Sequence, residues 1–492
     1  MTSWNIPNSL EASLKYAGNT TDKLLVGENA MDKFSREMGR SSWFISALRF
    51  LRLIAKFPRF GPRTSTTPSA TIVIPTYENF LLTVECLLSL SRHDSSETYE
   101  VLVVDDASPS RQDLLFKLVP GLRVTRTPEN LGFIGASHWG VKHAQGHLVV
   151  LLNNDTRVLD GWLDALVKEF LYDTEEKIGL VGSLLINPQT NKVSDGGAVV
   201  FSNGLTTSYG DGFELDDPRV RYRRQVDYVA GASMCFRKQD FNELLDELPD
   251  ELINGYYDDV DLAFRFRKKG KQVVFQPRSQ AFHHRNATYF KIFDGSPIEL
   301  IARNHSVFLA IWRRELNSDD FQDAPGNPAL GARRLEGTRG TVVILDNSLG
   351  ENAPLSGHSR NSLAHFLVRN GYSVVLVAGT SKISEASRQR LRDLGVCVFS
   401  REDDYAGFLA EISTSIAAVV TSGHPEKFDL SALAHLIPKA CFIVNGILSF
   451  PEIRLKRLTV KSGRRLRDGG DLRISNKHIL GLLLDHDERT ST

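Results

Sequence analysis

The sequence predicts an α/β protein with two sheet-forming regions. Between residues 70 and 290, short apolar runs alternate with amphipathic segments of helical length, and a second alternation runs from 340 to 485. Because the chain has 492 residues, it is also too long for one ordinary hydrophobic core. We therefore expect two or three domains, of which two are built on a β-sheet covered by helices.

Four segments follow from these patterns. We assign 1–66 to a helical N-terminal segment, 67–315 to the first α/β domain, 316–339 to a linker and 340–488 to a second, Rossmann-like α/β domain. The second domain contains five apolar runs that are typical of buried strands, namely TVVILD, SVVLVAG, VCVFS, IAAVVTS and ACFIVNG.

The composition excludes several classes of protein. Lys plus Arg and Asp plus Glu both number 59, so no bulk positive charge indicates a nucleic-acid partner. The four cysteines are far apart and form no CxxC pair, which argues against a zinc site or a disulfide framework. No secretory signal begins the sequence, and no run approaches the roughly 18 apolar residues of a membrane span. We therefore expect a cytoplasmic protein.

The segment 43–60, WFISALRFLRLIAKFPRF, places aromatic and aliphatic residues at helical spacing among basic ones. Such a helix can lie in a membrane interface, which would bring the protein to the inner face of the cell membrane as a peripheral protein. The alternative is a helix that packs on the rest of the protein with its charges in water. Both interpretations stay open.

The sequence indicates where two predicted strands of the first domain end. The strand TIVIPTY should end near Pro75, since proline cannot donate a hydrogen bond to a sheet. The next strand, YEVLVVDDAS, ends in Asp105 and Asp106, and parallel sheets bind ligands outside the carboxyl ends of their strands. These carboxylates can accept hydrogen bonds from a nucleotide base or from ribose hydroxyls. Alternatively, Asp106 or Ser108 caps the following helix.

The turn into the next helix, NLGFIGASHWG, is rich in small residues. Gly132, Gly135 and Gly140 permit close backbone approach to a phosphate or a sugar, although helix–sheet packing is the more usual explanation. The spacing matches neither the dinucleotide fingerprint nor the P-loop.

A further strand, HLVVLLNNDT, ends at Asp155. A carboxylate in that place suits a hard divalent cation beside a diphosphate. One Asp is a thin ligand set, and the later segment AFHHRN offers His283 or His284 as a second ligand. A pair of histidines is more often structural.

Asp258 and Asp259 open a predicted helix, DDVDLAFRFRKKG. The helix dipole favours carboxylates in a first turn, so helix capping is one interpretation. The dipole would also keep Asp259 ionised at neutral pH, as a general base must be before the reaction.

The order of these motifs is more specific than any one of them. PTYEN, VVDDAS, NLGFIGA, LLNNDT, AGASMCFRK, DDVDLAFRFRKKG and FHH follow one another in a way that resembles the family 2 glycosyltransferases, above all their bacterial rhamnosyltransferase-type branch. The resemblance covers about residues 70–310. It implies a GT-A fold, in which a nucleotide-binding α/β half is joined to an acceptor-binding half.

The resemblance also implies a role for each motif. The donor-side positions are Pro75, Tyr77, Glu78, Asp105, Asp106, Asn130, Gly132, Phe133 and Asn154. The acceptor-side positions are Gly231, Ala232 and Asp258, and the positions for Mg²⁺ or Mn²⁺ are Asp155 and His283. Asp259 would be the base of an in-line attack that inverts the anomeric centre.

The chain departs from the family pattern in three places. Glu78 stands where Asn commonly follows the Tyr, so the family's contact to the nucleotide base does not carry over directly. The metal motif reads NND rather than DxD, so it would depend on His283 or bind metal weakly. The acidic pair is Asp-Asp where Glu-Asp is common.

The resemblance predicts the partners. The donor would be a nucleotide-diphospho-sugar, dTDP-rhamnose first and a UDP-hexose next, and the acceptor a cell-surface polysaccharide or a lipid-linked glycan. The second domain resembles the N-terminal half of a GT-B glycosyltransferase, and we expect it to be accessory. The alternative function is a non-catalytic nucleotide-sugar-binding scaffold, against which the presence of both Asp155 and Asp259 argues.

Overall fold

The computed structural model of the protein describes residues 68–244, 252, 255–284, 297–318, 320–324, 326–332, 340–346, 360–379, 383–422, 428–438, 440–444 and 447–449. The predicted helical segment 1–66, which includes the amphipathic stretch 43–60, lies outside these residues. Among the helices that are described, none is both long enough and apolar enough to cross a membrane.

Strands and helices alternate in the first part of this domain, and six strands then follow one another between residues 178 and 237. The strands are β1 (Ala70–Thr76), β2 (Tyr99–Asp105), β3 (Arg123–Arg126), β4 (Leu148–Leu152), β5 (Thr156–Val158), β6 (Ile178–Ile186), β7 (Val193–Asp195), β8 (Ala198–Val200), β9 (Thr206–Ser208), β10 (Arg224–Gln225), β11 (Ser233–Arg237) and β12 (Gln272–His283). The helices are α1 (Phe80–Arg92), α2 (Asp113–Phe116), α3 (Gly132–His143), α4 (Trp162–Tyr172), α5 (Lys238–Asn242), α6 (Asp258–Lys268), α7 (Pro297–Leu316) and α8 (Pro328–Gly331).

Ten of these strands form one mixed sheet. Its main path is β10-β12-β6-β11-β4-β1-β2-β3, with β5 beside β12 and β7 beside β6. The strands β1, β2, β3 and β4 are parallel, whereas β11 runs antiparallel to both β4 and β6. The predicted α/β class is therefore confirmed. Because parallel strands end at the same edge of a sheet, the carboxyl ends of β1, β2 and β4 lie side by side.

The second domain has a sheet of its own. Its strands are β13 (Thr341–Asp346), β14 (Ser373–Ala378), β15 (Val396–Ser400), β16 (Ile416–Ser422), β17 (Cys441–Val444) and β18 (Ile447–Ser449). Its helices are α9 (Arg360–Arg369), α10 (Glu385–Asp393), α11 (Tyr405–Glu411) and α12 (Leu430–Leu436). The strand order is β15-β14-β13-β16-β17-β18, parallel up to β17, so all five predicted runs are strands in a Rossmann-like order.

The two sheets share one hydrophobic core. Buried side chains of both, such as Phe236 and Val343, belong to a single cluster. The segment before β10 also contacts the second domain directly, since Cys397 Sγ donates a hydrogen bond to Pro218 O at 3.5 Å. The second domain therefore packs on the half of the first domain that lies beyond β11.

The glycine-rich turn had two interpretations, close approach to a ligand and packing of the helix on the sheet, and Gly140 in α3 decides between them at its own position. A Cβ on Gly140 would overlap Val73 Cγ1 of β1 and lie 3.0 Å from Val104 Cγ2 of β2. The absence of a side chain here lets α3 pack closely on the sheet, as the packing interpretation predicts. Gly132 differs, because its φ of 70° requires a left-handed conformation at the start of α3.

Replacing Gly140 tests this packing contact. Gly140→Ala should lower the free energy of unfolding by about 1–3 kcal/mol, because the added methyl group forces Val73 and its neighbours out of place. Lys142→Ala, at an exposed position of the same helix, is the control and should change stability by no more than about 0.5 kcal/mol. Urea denaturation measures both, and equal stability of the two variants would contradict the close approach.

Candidate active site

A buried polar network joins the carboxyl ends of β1, β2 and β4. Asn154 Nδ2 donates to Thr76 Oγ1 at 3.2 Å and to Thr83 Oγ1 at 3.0 Å. Gln112 Nε2 reaches Thr76 Oγ1 at 3.4 Å and Ser108 Oγ at 2.9 Å. The amide group of Asn154 therefore points into the protein, so this predicted donor-side residue positions the strand ends.

The two carboxylates after β2 have different partners. Asp105 is fully buried and forms an ion pair with Arg126. Asp106 Oδ1 accepts hydrogen bonds from Thr127 Oγ1 at 2.9 Å and from Leu131 N at 2.8 Å. Burial raises the pKa of Asp106 against the effect of these hydrogen bonds. Asp106 thus orders the loop that leads to α3.

The helix-capping interpretation of the β2 end is wrong. The residue at the start of α2 is Gln112, and no side chain caps this helix. The Ser108 hydroxyl instead accepts hydrogen bonds from Gln112 Nε2 and, at 2.9 Å, from Glu78 N.

Glu78 links the loop after β1 to the loop after β2. Its carboxylate Oε1 accepts a hydrogen bond from Ser110 N at 2.9 Å. The strand β1 extends one residue beyond Pro75, which is still paired with Val104, and the half-buried Tyr77 follows. Glu78 therefore has a structural partner at the position where the sequence departs from the family pattern.

The loop before α3 carries three predicted donor-side residues. Asn130 is exposed, and its Oδ1 accepts a hydrogen bond from Gly132 N at 3.0 Å. Gly132 and Phe133 are half-buried. These three residues flank the loop held by Asp106, so they present both backbone and side chain beside the strand ends.

Asp155 and His283 lie together where β4 and β12 end. His283 Nε2 is 3.4 Å from Asp155 Oδ1, and both side chains are largely buried. His284 N also donates to Asp155 O at 3.2 Å. Although burial acts to raise the pKa of Asp155, His283 and His284 hold it below its usual value. The pair predicted from two distant motifs is therefore brought into contact.

The same cluster contains polar atoms without partners. His283 Nδ1 and His284 Nε2 are buried and have no hydrogen-bond partner, and Asp155 Oδ1 has only His283 Nε2 near it, at 3.4 Å. Buried polar groups are normally fully paired, so a carboxylate and an imidazole in such loose contact leave a place for a cation between them. Over the described residues, however, no three His, Cys, Asp or Glu side chains form a metal-ligand group. The protein would supply two ligands, and others must come from the donor or water.

Asp259 is held at the start of α6 by two backbone N–H groups. Gly231 N donates to Oδ2 at 3.0 Å, and Val260 N donates to Oδ1 at 2.9 Å. Burial raises the pKa of Asp259 to about 6. It also raises the pKa of the adjacent Asp258, with the charge of Asp259 adding to the effect. Burial of Asp259 thus outweighs the two backbone hydrogen bonds that favour its ionised form.

A short path of backbone contacts connects Asp259 to Asp155. Gly231 N binds Asp259, and the next residue, Ala232, accepts a hydrogen bond through its carbonyl oxygen from Asn153 N at 3.0 Å. Asn153 lies two residues before Asp155. The predicted acceptor-side loop therefore ties the predicted base to the metal-side strand end.

Backbone strain is concentrated in the loops at the strand ends and at the start of α6. Eight non-glycine residues of the described chain have a positive φ, and six of them lie in the loops after β1 and β2 or directly before α6. These six are Glu78, Asn79, Ala107, Arg111, Tyr256 and Tyr257. Each left-handed non-glycine residue costs on the order of 1–3 kcal/mol, and such conformations cluster at functional sites.

Asp195 is a buried carboxylate that the sequence analysis missed. Its Oδ1 accepts a hydrogen bond from Gly197 N at 2.9 Å, and its Oδ2 accepts one from Ser208 Oγ at 2.6 Å. Its charge adds to the rise in the pKa of Asp259. The sequence SDGG, an Asp before two glycines, could have indicated a tight turn but not its proximity to α6.

Residues 71–190 match the family model described as glycosyl transferase family 2. Uncharacterized protein y4gI of Sinorhizobium fredii is 24% identical over 284 residues, which are 54% of this chain and 30% of that protein. O-antigen biosynthesis protein RfbC of Myxococcus xanthus is 29% identical over 237 residues, which are 45% of this chain and 18% of that protein.

One similar solved structure is that of GalNAc-T7 with UDP, GalNAc and Mn²⁺. It is 18% identical, with a TM-score of 0.41, and the match covers 51% of this chain and 49% of that one. This chain spans less than a third of the length of the curated relatives it matches. Residues 71–190 thus resemble a family 2 glycosyltransferase domain, and they lie on a GT-A-like sheet.

Proposed function

We propose that this chain is an inverting glycosyltransferase that moves a sugar from a nucleotide-diphospho-sugar to a hydroxyl of a glycan, with Asp259 as the general base. The observation that carries the proposal is the placement of Asp259. It is a carboxylate with a pKa of about 6, fixed by Gly231 N and connected through Ala232 and Asn153 to Asp155. A base is most effective when its pKa lies near the working pH.

The donor would bind where β1, β2 and β4 end. Asp106, Asn130, Gly132 and Phe133 would contact the nucleotide and the sugar, together with Tyr77. Asp105, Glu78 and Asn154 would act indirectly, because Arg126, Ser110 and Thr76 already bind their side chains.

Asp155 and His283 would hold the divalent cation, Mg²⁺ or Mn²⁺. Asp155 would supply the carboxylate oxygen that such ions prefer, and His283 Nε2, 3.4 Å from that oxygen, would add one nitrogen ligand. When bound, the cation supplies positive charge for the diphosphate. The two protein ligands also bring β4 and β12 together at this point, so they would position the donor relative to Asp259.

Asp259 would act on the acceptor. As the acceptor oxygen forms its bond to the anomeric carbon, its proton passes to an Asp259 carboxylate oxygen, and the bond from that carbon to the diphosphate breaks. The nucleoside diphosphate leaves with the bonding electron pair. Attack from the face opposite the leaving group inverts the anomeric centre.

The donor sugar and the acceptor form the finer part of the proposal. We favour dTDP-rhamnose, and next a UDP-hexose, because of the motif resemblance to rhamnosyltransferases. A cell-surface polysaccharide or lipid-linked glycan is the acceptor class, which the name of the Myxococcus xanthus relative supports. The segment 43–60 would provide peripheral contact with the membrane where such acceptors reside.

Replacing the base gives the first test. Asp259→Asn should lower kcat/KM roughly 10²–10⁴-fold, as expected for loss of a general base, while the Kd for donor stays within a few-fold. The natural protein should lose kcat/KM as the pH falls through about 6, because Asp259 then takes up a proton. The variant should lack this acidic limb.

The control for this test is Asp160→Asn, which neutralises an exposed carboxylate and should leave the pH profile unchanged. Turnover by Asp259→Asn near that of the natural protein would remove Asp259 as the base.

The metal ligands give the second test. Asp155→Ala and His283→Ala should each weaken Mn²⁺-dependent binding of a nucleoside diphosphate on the order of tenfold or more, since each removes a ligand. Isothermal titration with dTDP and UDP, with and without Mn²⁺, measures the effect. Asp160→Ala, in the same segment, is the control. If Asp155→Ala keeps the full metal dependence, the cation binds elsewhere.

A further inference from the structure

The helix α10 of the second domain touches the first domain at its last turn. Arg223 N donates a hydrogen bond to Arg392 O at 3.0 Å. A Cβ on Gly395 would lie 3.3 Å from Arg223 O, so the backbones are close over several residues. This contact brings the segment 221–223, which precedes β10, against the end of α10.

Three guanidinium groups meet at this contact. Arg388 and Arg392 are four residues apart on α10 and share a face, and Arg221 lies on the facing segment. Arg392 is 5% exposed, and its Nε has no hydrogen-bond partner. The Nε of Arg388 lies 3.6 Å from Glu385 Oε2, which is too long for a normal hydrogen bond.

Little negative charge lies near these three guanidinium groups. Glu385 accepts a hydrogen bond from Arg392 Nη1 at 3.1 Å, but its side chain is 70% exposed. The other two carboxylates of this interface have their own arginines, since Glu169 binds Arg223 at 2.8 Å and Asp393 binds Arg278 at 3.4 Å. Three permanent positive charges therefore share one exposed carboxylate.

Burial and the positive charge of Arg221 lower the pKa of Arg392. The carboxyl end of α10 supplies a partial negative charge of about half an elementary charge. This is less than the positive charge of the three arginines that Glu385 leaves unbalanced. A buried guanidinium with an unpaired N–H is costly unless an anion satisfies it.

We propose that Arg221, Arg388 and Arg392 form a binding site for a phosphate group at the contact between the two domains. The planar fork of arginine matches phosphate oxygens, and the unpaired Nε of Arg392 is a donor that such a ligand would use. The bound anion would hold α10 to the segment before β10. This site is separate from the strand edge of the proposed function and does not depend on it.

Isothermal titration of the full chain tests the proposal. Inorganic phosphate and glucose 6-phosphate are the two probes, used without divalent metal and at constant ionic strength. The natural protein should bind phosphate, and Arg388→Gln and Arg221→Gln should each raise its Kd at least tenfold. These variants are preferable to changing the buried Arg392. Arg390→Gln, at an exposed position of α10, is the control and should bind as the natural protein does.

A tighter Kd for glucose 6-phosphate would identify a phosphorylated sugar as the ligand, whereas equal values would identify the phosphate group alone. Absence of phosphate binding by the natural protein, or an unchanged Kd in both Arg388→Gln and Arg221→Gln, would overturn the proposal.

Discussion

The buried hydroxyl of Thr76 is the point on which the site depends. It receives hydrogen bonds from the side chains of Asn154 and Gln112, and it lies 2.9 Å from Thr83 Oγ1. The hydroxyl thus connects the end of β1 to the end of β4 and to the start of α2. Polar groups in a buried network each need a partner, so displacement of one strand end would leave several of them unsatisfied. This requirement fixes the spacing between the loop held by Asp106 and the end of β4, where a donor and its cation would lie.

The acceptor side depends on a different balance, between burial and the ends of secondary structure. Asp259 lies in the first turn of α6, where the helix dipole and two backbone N–H groups favour its ionised form. Burial and the nearby charge of Asp195 oppose this effect, and the result is a pKa of about 6. The left-handed Tyr256 and Tyr257 set the direction in which α6 begins. The fold thereby maintains a strained turn and a poorly solvated carboxylate at the same place, as a site arranged for proton transfer requires.

Much of this arrangement was predictable from the sequence, and the rest depended on contacts between distant segments. Apolar runs marked the strands of both sheets, and the acidic pair marked the start of α6, because these are local patterns. The inward orientation of Asn154 could not be predicted, since its partners lie on β1 and α1. The burial of Asp259 and the influence of Asp195 on its pKa join distant segments of the chain, so no local pattern could predict them. The glycine-rich turn contained both kinds of glycine, and only the packing of α3 showed that Gly140 serves the core.

In the proposed function, the strand edge with Asp155 and His283 binds a nucleotide and a divalent cation. The most direct measurement is anomalous diffraction at the manganese edge, from crystals of the full chain grown with Mn²⁺ and dTDP or UDP. We expect an anomalous peak within coordination distance of Asp155 and His283, with the diphosphate beside it and the nucleoside near Asp106. A nucleotide bound with its Mn²⁺ at another part of the chain, or no bound manganese at these two residues, would contradict it.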